Sequence, residues 1–482
     1  MSPSLANFTY PSAADYAALL PFLIVVVTPL AVLFVDLFLK GEGQGRRGIA
    51  VMLAVLGLVA ASLVEVRQYP HDYAAFGGAF VQGGFSIVFS EVVIVATIAT
   101  LLLTVGIGRT DQVAGTTALL LWSAGGAMLM AGAANLMMVF LGLELLSLAL
   151  YALCAMSLRA TARESALKYL ILSSMASGFL LYGSALLFGV AGSVAFATLA
   201  TATPTPLYVL GAGLFLVGIA FKLSLVPFHV WTPDVYEGAP LPVTAFMSIV
   251  TKAGTLAVFA RFAYAALPPE RAAAILVPVW AVAALSMLVG NLAALAQTDM
   301  KRLLAYSGIA QVGYIVTAFA GQTALGLRYA VLYLAGYTCM NLGAFAVVAL
   351  MSRDGDAVVG LGRFAGLAYR RPWLAAAMTF FLIALAGLPP TIGFTGKILI
   401  LAAATGAGFA WLAGVLILGT AISAYVYFKI VRAMFARVDP VHVRDERSPN
   451  ALPWIVVAFG AAATFALGLV PLTPSDILPL VK

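Results

Sequence analysis

The chain has 482 residues, of which 63% are hydrophobic and 9% are charged, whereas about 25% of the residues of a soluble domain are charged. This composition excludes a soluble globular domain and indicates a protein that lies in a lipid bilayer. The net charge of +7 does not indicate a nucleic-acid partner, because the basic residues lie in short gaps between apolar segments rather than on one face or in a tail.

Fourteen apolar segments are long enough to cross a bilayer, which takes about 20 mainly apolar residues in a helix. In chain order they are residues 17–39, 48–64, 86–107, 114–133, 135–156, 166–191, 208–230, 241–266, 272–296, 303–320, 325–351, 373–402, 409–435 and 452–471. Because these runs are continuous rather than alternating, they predict helices and not the strands of a closed barrel. We therefore predict an all-α, polytopic fold in a single integral membrane domain, residues 1–482.

The basic residues are distributed unevenly over the gaps between these spans. The gaps after odd-numbered spans contain Lys40, Arg46, Arg47, Arg109, Arg159, Arg163, Lys301, Arg302, Arg353, Arg363, Arg370, Arg371, Arg437, Arg444 and Arg447. The gaps after even-numbered spans contain little beyond Arg67 and Arg271. Because loops rich in Lys and Arg stay in the cytoplasm, we expect both termini on the opposite side of the membrane.

Proline interrupts two of the spans, the seventh at Pro227 and the twelfth at Pro389 and Pro390. Proline removes a backbone donor and leaves a carbonyl without its usual partner. Broken helices at corresponding positions of two halves are typical of inverted repeats that hold polar sites in mid-membrane. We therefore predict two inverted five-helix repeats, residues 114–266 and residues 272–435.

Several charged side chains lie within the predicted spans, where each costs about 2.5–3.5 kcal/mol on insertion scales and usually marks an ion pathway. They are Glu144 in the fifth span, Lys168 in the sixth, Lys222 in the seventh, Lys252 in the eighth and Lys397 in the twelfth. Burial disfavours the charged form of a lysine, so a deep lysine can gain and lose a proton under working conditions. These residues therefore predict a proton relay.

A structural ion pair, or a long side chain that reaches the membrane surface, is the alternative for each of these charges. It stays open above all for Lys168, Lys429 and Arg261, which lie near the ends of spans. Glu144 is the only acid this deep in the first repeat, and we expect it to be the counter-charge of Lys222. Such a pair could act as a switch, because separating the charges weakens the stabilisation of the protonated lysine.

The neighbourhood of Lys222 is the densest in such residues, and residues 221–240 read FKLSLVPFHVWTPDVYEGAP. The helix break at Pro227 opens backbone that water can reach, and His229 adds a side chain that titrates near neutral pH. Lysine, break and imidazole together suit proton passage, although His229 could instead be a hydrogen-bonded packing residue. The second broken helix has a similar arrangement, because Lys397 follows Pro389 and Pro390 by about two helical turns.

Electron-transfer chemistry is not indicated in this chain. Cys154 and Cys339 lie in apolar segments without metal-ligand spacing, and His71 and His442 are in loops, so no histidine pair is placed to hold a haem. We therefore predict no metal site and no cofactor here.

Three segments resemble the antiporter-like subunits of respiratory complex I, the NADH:quinone oxidoreductase, and of multisubunit cation/proton antiporters. They are FKLSLVPFHVWTPDVYEGAP, QTDMKRLLAYSGIAQVGY at residues 297–314, and GLPPTIGFTGKILI, which contains Lys397. Within this family, the ending DVYEGAP and Lys397 are most similar to the subunit N branch. The resemblance implies a proton path through Glu144, Lys168, Lys222, His229, Lys252 and Lys397.

The resemblance also implies a membrane-arm subunit that translocates protons, driven by quinone reduction elsewhere in the complex. NADH, FMN, iron–sulfur clusters and quinone would then belong to other subunits, and the partners would be other membrane subunits, including a second antiporter-like one. A subunit of a cation/proton antiporter and a purely structural scaffold are the alternatives. One departure concerns Gln311, where many relatives carry histidine; water held by Gln311, Tyr306 or Ser307 could replace the imidazole.

Overall fold

The structure is a computed structural model that describes residues 11–39, 44–107, 112–157, 159–352, 359–437 and 451–469. Within these ranges nearly all of the chain is helical, which confirms the all-α prediction. A short antiparallel hairpin interrupts the helices, with β1 (Tyr73–Ala75) paired to β2 (Phe80–Gln82). Of the basic loop residues named above, Lys40, Arg109, Arg353, Arg444 and Arg447 lie outside the described residues, as does His442.

Eighteen α-helices follow one another in the described part of the chain. They are α1 (Ala13–Phe38), α2 (Gln44–Gln68), α3 (Gly84–Ile107), α4 (Val113–Gly132), α5 (Leu136–Ala155), α6 (Ala160–Ala191), α7 (Phe196–Thr201), α8 (Pro206–Leu223), α9 (Trp231–Gly238), α10 (Leu241–Arg261), α11 (Pro269–Leu295), α12 (Met300–Thr317), α13 (Ala324–Met351), α14 (Leu367–Arg370), α15 (Pro372–Ala386), α16 (Ile392–Gly406), α17 (Ala410–Phe435) and α18 (Leu452–Leu469). A π-helical turn, Phe262–Ala266, extends α10.

Most of the fourteen predicted spans coincide with these helices to within a few residues, but the seventh, residues 208–230, extends past the end of α8 at Leu223 into the break. By length and composition, 12 helices of the described chain are apolar enough to cross a membrane. The twelfth predicted span is divided between α15 and α16, which are each shorter. The tenth corresponds to α12, which carries Lys301, Arg302 and Gln311 and is buried over most of its length. Its polar side chains therefore face protein rather than lipid.

Side-chain caps fix where several of these helices begin. The first backbone N–H groups of a helix have no partner within the helix, and a polar side chain at the N-cap supplies an acceptor. Asn135 accepts from the backbone of Met138 at the start of α5, and Asp299 accepts from Arg302 at the start of α12. Short polar residues in the gaps thus set the register of the apolar segments that follow.

Both predicted helix breaks are present. The α8 helix ends at Ser224, which has the left-handed φ of 62°, and the chain continues through Pro227 before α9 begins. The second break separates α15 from α16 and begins at Gly387, with a φ of +87°. A Cβ atom at Gly387 would lie 2.9 Å from Cδ of Lys397, so glycine lets the lysine approach the break.

Two helices form the centre of the molecule. Every residue of α10 from Leu241 to Ala260 is buried, and α13 is buried over nearly all of its length. A helix that is buried on all sides cannot present a charged side chain to lipid or to water. Any lysine in the middle of α10 must therefore be satisfied by protein groups or by internal water.

Candidate functional site

Three of the predicted lysines are deeply buried. The exposed fractions are 1% for Lys222, 2% for Lys252 and 4% for Lys397. This burial rules out the alternative in which these long side chains reach the membrane surface. We refer to the three residues as the lysine row.

Lys222 is held by groups of α6. Its Nζ donates hydrogen bonds to Oγ of Ser173 at 2.8 Å and to the hydroxyl of Tyr169 at 3.2 Å. The same Nζ lies 4.9 Å from the centroid of the Tyr169 ring, which stacks on Trp231 from the second half of the broken helix. Cation–π contacts and hydroxyl acceptors stabilise the ammonium group without supplying a counter-charge.

Glu144 does not contact Lys222 directly. It is half-buried, and its Oε1 accepts a 2.6 Å hydrogen bond from Oγ of Ser177. No ion pair joins Glu144 to Lys222 among the described residues. Ser173 and Ser177 lie one turn apart on the same face of α6, so two hydroxyls separate the carboxylate from the ammonium. The expected direct pair is therefore replaced by a chain of four side chains in which Glu144 is bonded to Ser177 and Lys222 to Ser173, with no hydrogen bond between the two serines in the described structure.

Replacing Ser177 by alanine should interrupt this chain. A hydrogen bond to a charged group is worth about 1.5 kcal/mol or more, so we expect Ser177→Ala to slow proton transport roughly tenfold. Ser184→Ala is the matched control, because Ser184 lies on the same helix and donates to its own backbone at Leu180. Proton uptake into vesicles that contain the purified protein measures both. Equal rates for the two variants would show that the hydroxyl chain is not used.

Lys252 reaches the first helix break. Its Nζ donates to Oγ of Ser224 at 2.7 Å and lies 3.5 Å from the carbonyl oxygen of Lys222. Ser224 is the residue in the left-handed conformation, and it also accepts a hydrogen bond from Thr232. Because the break exposes the carbonyls that end α8, it provides acceptors for a second lysine. The break thus brings Lys222 and Lys252 to one polar centre.

His229 lies beside the second predicted repeat. Its side chain is half-buried, and its Nδ1 is buried without a hydrogen-bond partner among the described residues. The imidazole centroid is 6.4 Å from the ring centroid of Tyr306 on α12. A buried polar atom without a partner is a position where an ordered water fits. The imidazole also interacts with the backbone of Pro227, so the geometry allows both the relay role and the packing alternative.

Lys397 is bound by the second helix break. Its Nζ donates to the carbonyl oxygens of Leu385 at 2.9 Å and Ala386 at 3.1 Å, which are at the end of α15. The ammonium also lies 4.7 Å from the centroid of the Tyr314 ring. The carbonyl end of a helix carries partial negative charge. Lys397 is therefore stabilised by a helix end, and no carboxylate pairs with it in the described ranges.

Gln311 lies next to Lys397. Its Nε2 donates to the same Leu385 carbonyl oxygen at 3.2 Å, and its Oε1 accepts a hydrogen bond from the hydroxyl of Tyr333. Gln311 and Lys397 thus share one carbonyl acceptor. An amide here can orient water but cannot take up a proton as imidazole does.

A polar stripe on α13 was not predicted from the sequence. Tyr333, Tyr337 and Asn341 are spaced four residues apart and therefore share one face of the helix. Asn341 is fully buried; its Nδ2 donates to Oγ of Ser248 on α10 at 2.6 Å, and its Oδ1 has no partner among the described residues. The stripe extends from Gln311 towards α10. The spacing was visible in the sequence, but tyrosine and asparagine carry no charge to draw attention to it.

Lys168 lies outside the lysine row, in an ion-pair network near one end of α6. Its side chain is 43% exposed and pairs with Glu164 at 2.8 Å and Asp234 at 3.1 Å. Arg302 joins the network by pairing with Asp234 and Glu237. Partial burial would raise the pKa of Asp234, but hydrogen bonds from Arg302 and Lys168 outweigh it and lower the pKa. The ion-pair alternative is therefore observed for Lys168, whereas its relay role remains a prediction.

Long apolar helices, two helix breaks and a buried lysine row define the class of antiporter-like membrane subunits. A family model described as NADH:quinone oxidoreductase/Mrp antiporter, TM, matches residues 133–423, which is more than half of the chain. The match covers the breaks and all six predicted relay residues.

This class has two branches, the complex I subunits and the cation/proton antiporter subunits, and similar proteins indicate to which of them the chain belongs. NADH-quinone oxidoreductase subunit N 1 of Symbiobacterium thermophilum is 40% identical, with 97% of this chain and 98% of the relative covered. The structure of respiratory complex I from Thermus thermophilus with bound aureothin contains a chain that is 36% identical with a TM-score of 0.80, covering 94% of this chain and 97% of that one. The chain belongs to the NADH-quinone oxidoreductase subunit N family.

The antiporter branch shares the fold. A chain of the Mrp complex from Dietzia superposes with a TM-score of 0.79 and is 22% identical, with 95% of each chain covered. At that identity the likeness concerns the fold alone. The higher identity to subunit N over nearly the whole chain favours the complex I branch.

Proposed function

We propose that this chain translocates protons across the bacterial inner membrane as a subunit of a proton-translocating NADH:quinone oxidoreductase. The main support for this proposal is the lysine row. Its three ammonium groups are buried inside the protein and are held by hydroxyl and carbonyl oxygens. Apolar residues would pack at these positions without the cost of burying a charge. A purely structural scaffold therefore does not require these lysines, whereas a proton path does.

The contacts support a route across both halves of the molecule. In the first half, the path begins at Glu144 and passes the two serines of α6 to Lys222. The break then connects Lys222 with Lys252. Each lysine acts as a proton acceptor when neutral and as a donor when charged, and each hydroxyl can accept one proton while it gives up another.

Two connections support continuation into the second half. One leads from Ser248, one turn before Lys252, through Asn341 and the α13 stripe to Gln311 and Lys397. The other leads from His229 to Tyr306 on α12. Buried polar atoms without partners, on His229 and Asn341, are positions for the water that a continuous path needs. Lys168, beside Asp234, would exchange protons with the aqueous phase at the membrane surface.

We further infer how this path is arranged in the membrane and in the complex. The two inverted repeats, residues 114–266 and 272–435, would each supply one broken helix, and both termini would face the periplasm. Coupling would come from quinone reduction in other subunits, which would hold NADH, FMN, iron–sulfur clusters and quinone, with no redox centre in this chain. Its neighbours would be other membrane subunits, including another antiporter-like one.

Co-purification tests the proposal directly. The chain is tagged, native membranes are solubilised in mild detergent, and the purified material is assayed for NADH:quinone activity. We expect the activity to co-purify. The fold likeness to the Mrp complex supports the alternative, a subunit of a cation/proton antiporter. Cation/proton exchange without NADH:quinone activity in the purified material would establish that alternative instead.

A further inference from the structure

A cavity of about 920 Å³ lies beyond the end of α10, outside the lysine row. Its volume is within the range typical of small-molecule pockets. Parts of the hairpin region, α3, the segment at the start of α7, the end of α10 and the start of α13 form its wall. Its lining includes Asp72, Phe85, Phe196, Arg261 and Leu327.

Arg261 is the half-buried cation of this cavity. Its Nη2 donates to the carbonyl oxygen of Val81 at 3.2 Å, and its guanidinium carbon lies 4.9 Å from the centroid of the Phe85 ring. Its Nε is buried without a hydrogen-bond partner, and no ion pair of Arg261 occurs in the part of the chain that the structure describes. The side chain thus turns into the protein, and a charge left uncompensated in such a place is costly.

The position and lining of the cavity indicate the kind of anion that compensates this charge. The cavity is at the level where α2 and α10 end and where α3 and α13 begin, which is the level of the lipid headgroups if these helices cross the bilayer. Phosphate is the anion that phospholipids present there. The planar guanidinium donates two parallel hydrogen bonds to phosphate oxygens. Phe85, Phe196 and Leu327 give the rest of the wall an apolar surface suited to the glycerol and acyl parts of a lipid.

Asp72 supplies the complementary charge. Its exposed carboxylate lines the same cavity and attracts Arg261 electrostatically without forming an ion pair with it in the described structure. A ligand with a phosphate and a nearby ammonium group would satisfy both residues. We propose that this cavity binds a phosphate group through Arg261, most naturally that of an ethanolamine phospholipid whose ammonium group meets Asp72. This site is independent of the proton path and of its function.

Lipid retention by the purified complex tests the proposal. Complexes that carry wild-type chain, Arg261→Gln or Arg261→Lys are washed in detergent, and retained phospholipids are extracted and measured by mass spectrometry. We expect Arg261→Gln to lower ethanolamine-phospholipid retention roughly tenfold, as for the loss of a charge-assisted hydrogen bond, and Arg261→Lys to preserve part of it. Arg271→Gln is the matched control, since Arg271 is exposed and outside the cavity.

Two further measurements identify the source of the phosphate and test the role of Asp72. Equilibrium binding of labelled inorganic phosphate to the delipidated complex identifies a soluble source if it requires Arg261 and no lipid is retained. Asp72→Asn should reduce the preference for ethanolamine over glycerol headgroups, and an unchanged preference would overturn the role of Asp72. If assembled Arg261→Gln and Arg261→Lys complexes retain lipid and bind phosphate as the wild type does, the site does not exist.

Discussion

Replacing Lys222 by alanine is expected to slow proton translocation by roughly 10²-fold or more while the complex still assembles, because a positioned proton donor and acceptor contributes at least that much. The substitution removes the ammonium group that Ser173 and Tyr169 bind and leaves both hydroxyls in place. Acidification of vesicles that contain the purified complex, driven by NADH oxidation, gives the rate. Native gels establish assembly independently.

Lys222→Arg distinguishes a proton carrier from a fixed charge. Arginine keeps the positive charge but does not release its proton in proteins, so we expect it to be nearly as inactive as alanine. Lys429→Ala is the matched control, because Lys429 is an exposed lysine on α17 whose Nζ donates to the carbonyl oxygen of Leu295. An assembled Lys222→Arg complex that pumps at the wild-type rate would mean that Lys222 acts by charge alone.

Lys397→Met is expected to change stability and transport in opposite directions. Lys397 is 4% exposed, and its ammonium group is bound by two backbone carbonyls, without a carboxylate in the described ranges. Replacing a buried charge by an apolar side chain of similar length is often neutral or stabilising by about 1–4 kcal/mol. We therefore expect an unchanged or higher free energy of unfolding together with a loss of proton transport.

The two effects of Lys397→Met are measured on the same preparation. Thermal unfolding of the purified complex in detergent gives stability, and vesicle acidification gives transport. Lys429→Met serves as the control, because an exposed lysine has little desolvation penalty to lose. A strongly destabilised Lys397→Met complex that still transports protons would show that Lys397 has a structural role.

The fold was largely predictable because the features that set it act along the chain. A run of apolar residues of sufficient length forms a membrane helix whatever its neighbours are, since the backbone must satisfy its own hydrogen bonds in lipid. Both breaks lie at prolines of predicted spans, Pro227 and Pro389, although Pro21, Pro29 and Pro278 lie inside helices that continue past them. The depth of Lys222, Lys252 and Lys397 followed from their places along the helices.

The connections between these residues were much less predictable, because they depend on how each helix is rotated and which helix lies beside it. Rotation places Glu144 against Ser177 rather than against Lys222, and it turns Lys168 towards Asp234 at the surface. Packing of α12 against the second break brings Gln311 to the carbonyl that binds Lys397. Apolar segments carry almost no periodic signal that could fix such rotations.

The sequence by itself therefore determined the all-helical membrane fold, the positions of most membrane helices, the two breaks and the lysines that lie deep within the helices. Only the tertiary structure decided which of these groups meet, and it added Asn341 and the cavity at Arg261, which no motif marked. The physical reason is that membrane insertion depends on the composition of each segment alone. A polar contact between helices depends instead on the close packing of several segments that are distant in the sequence.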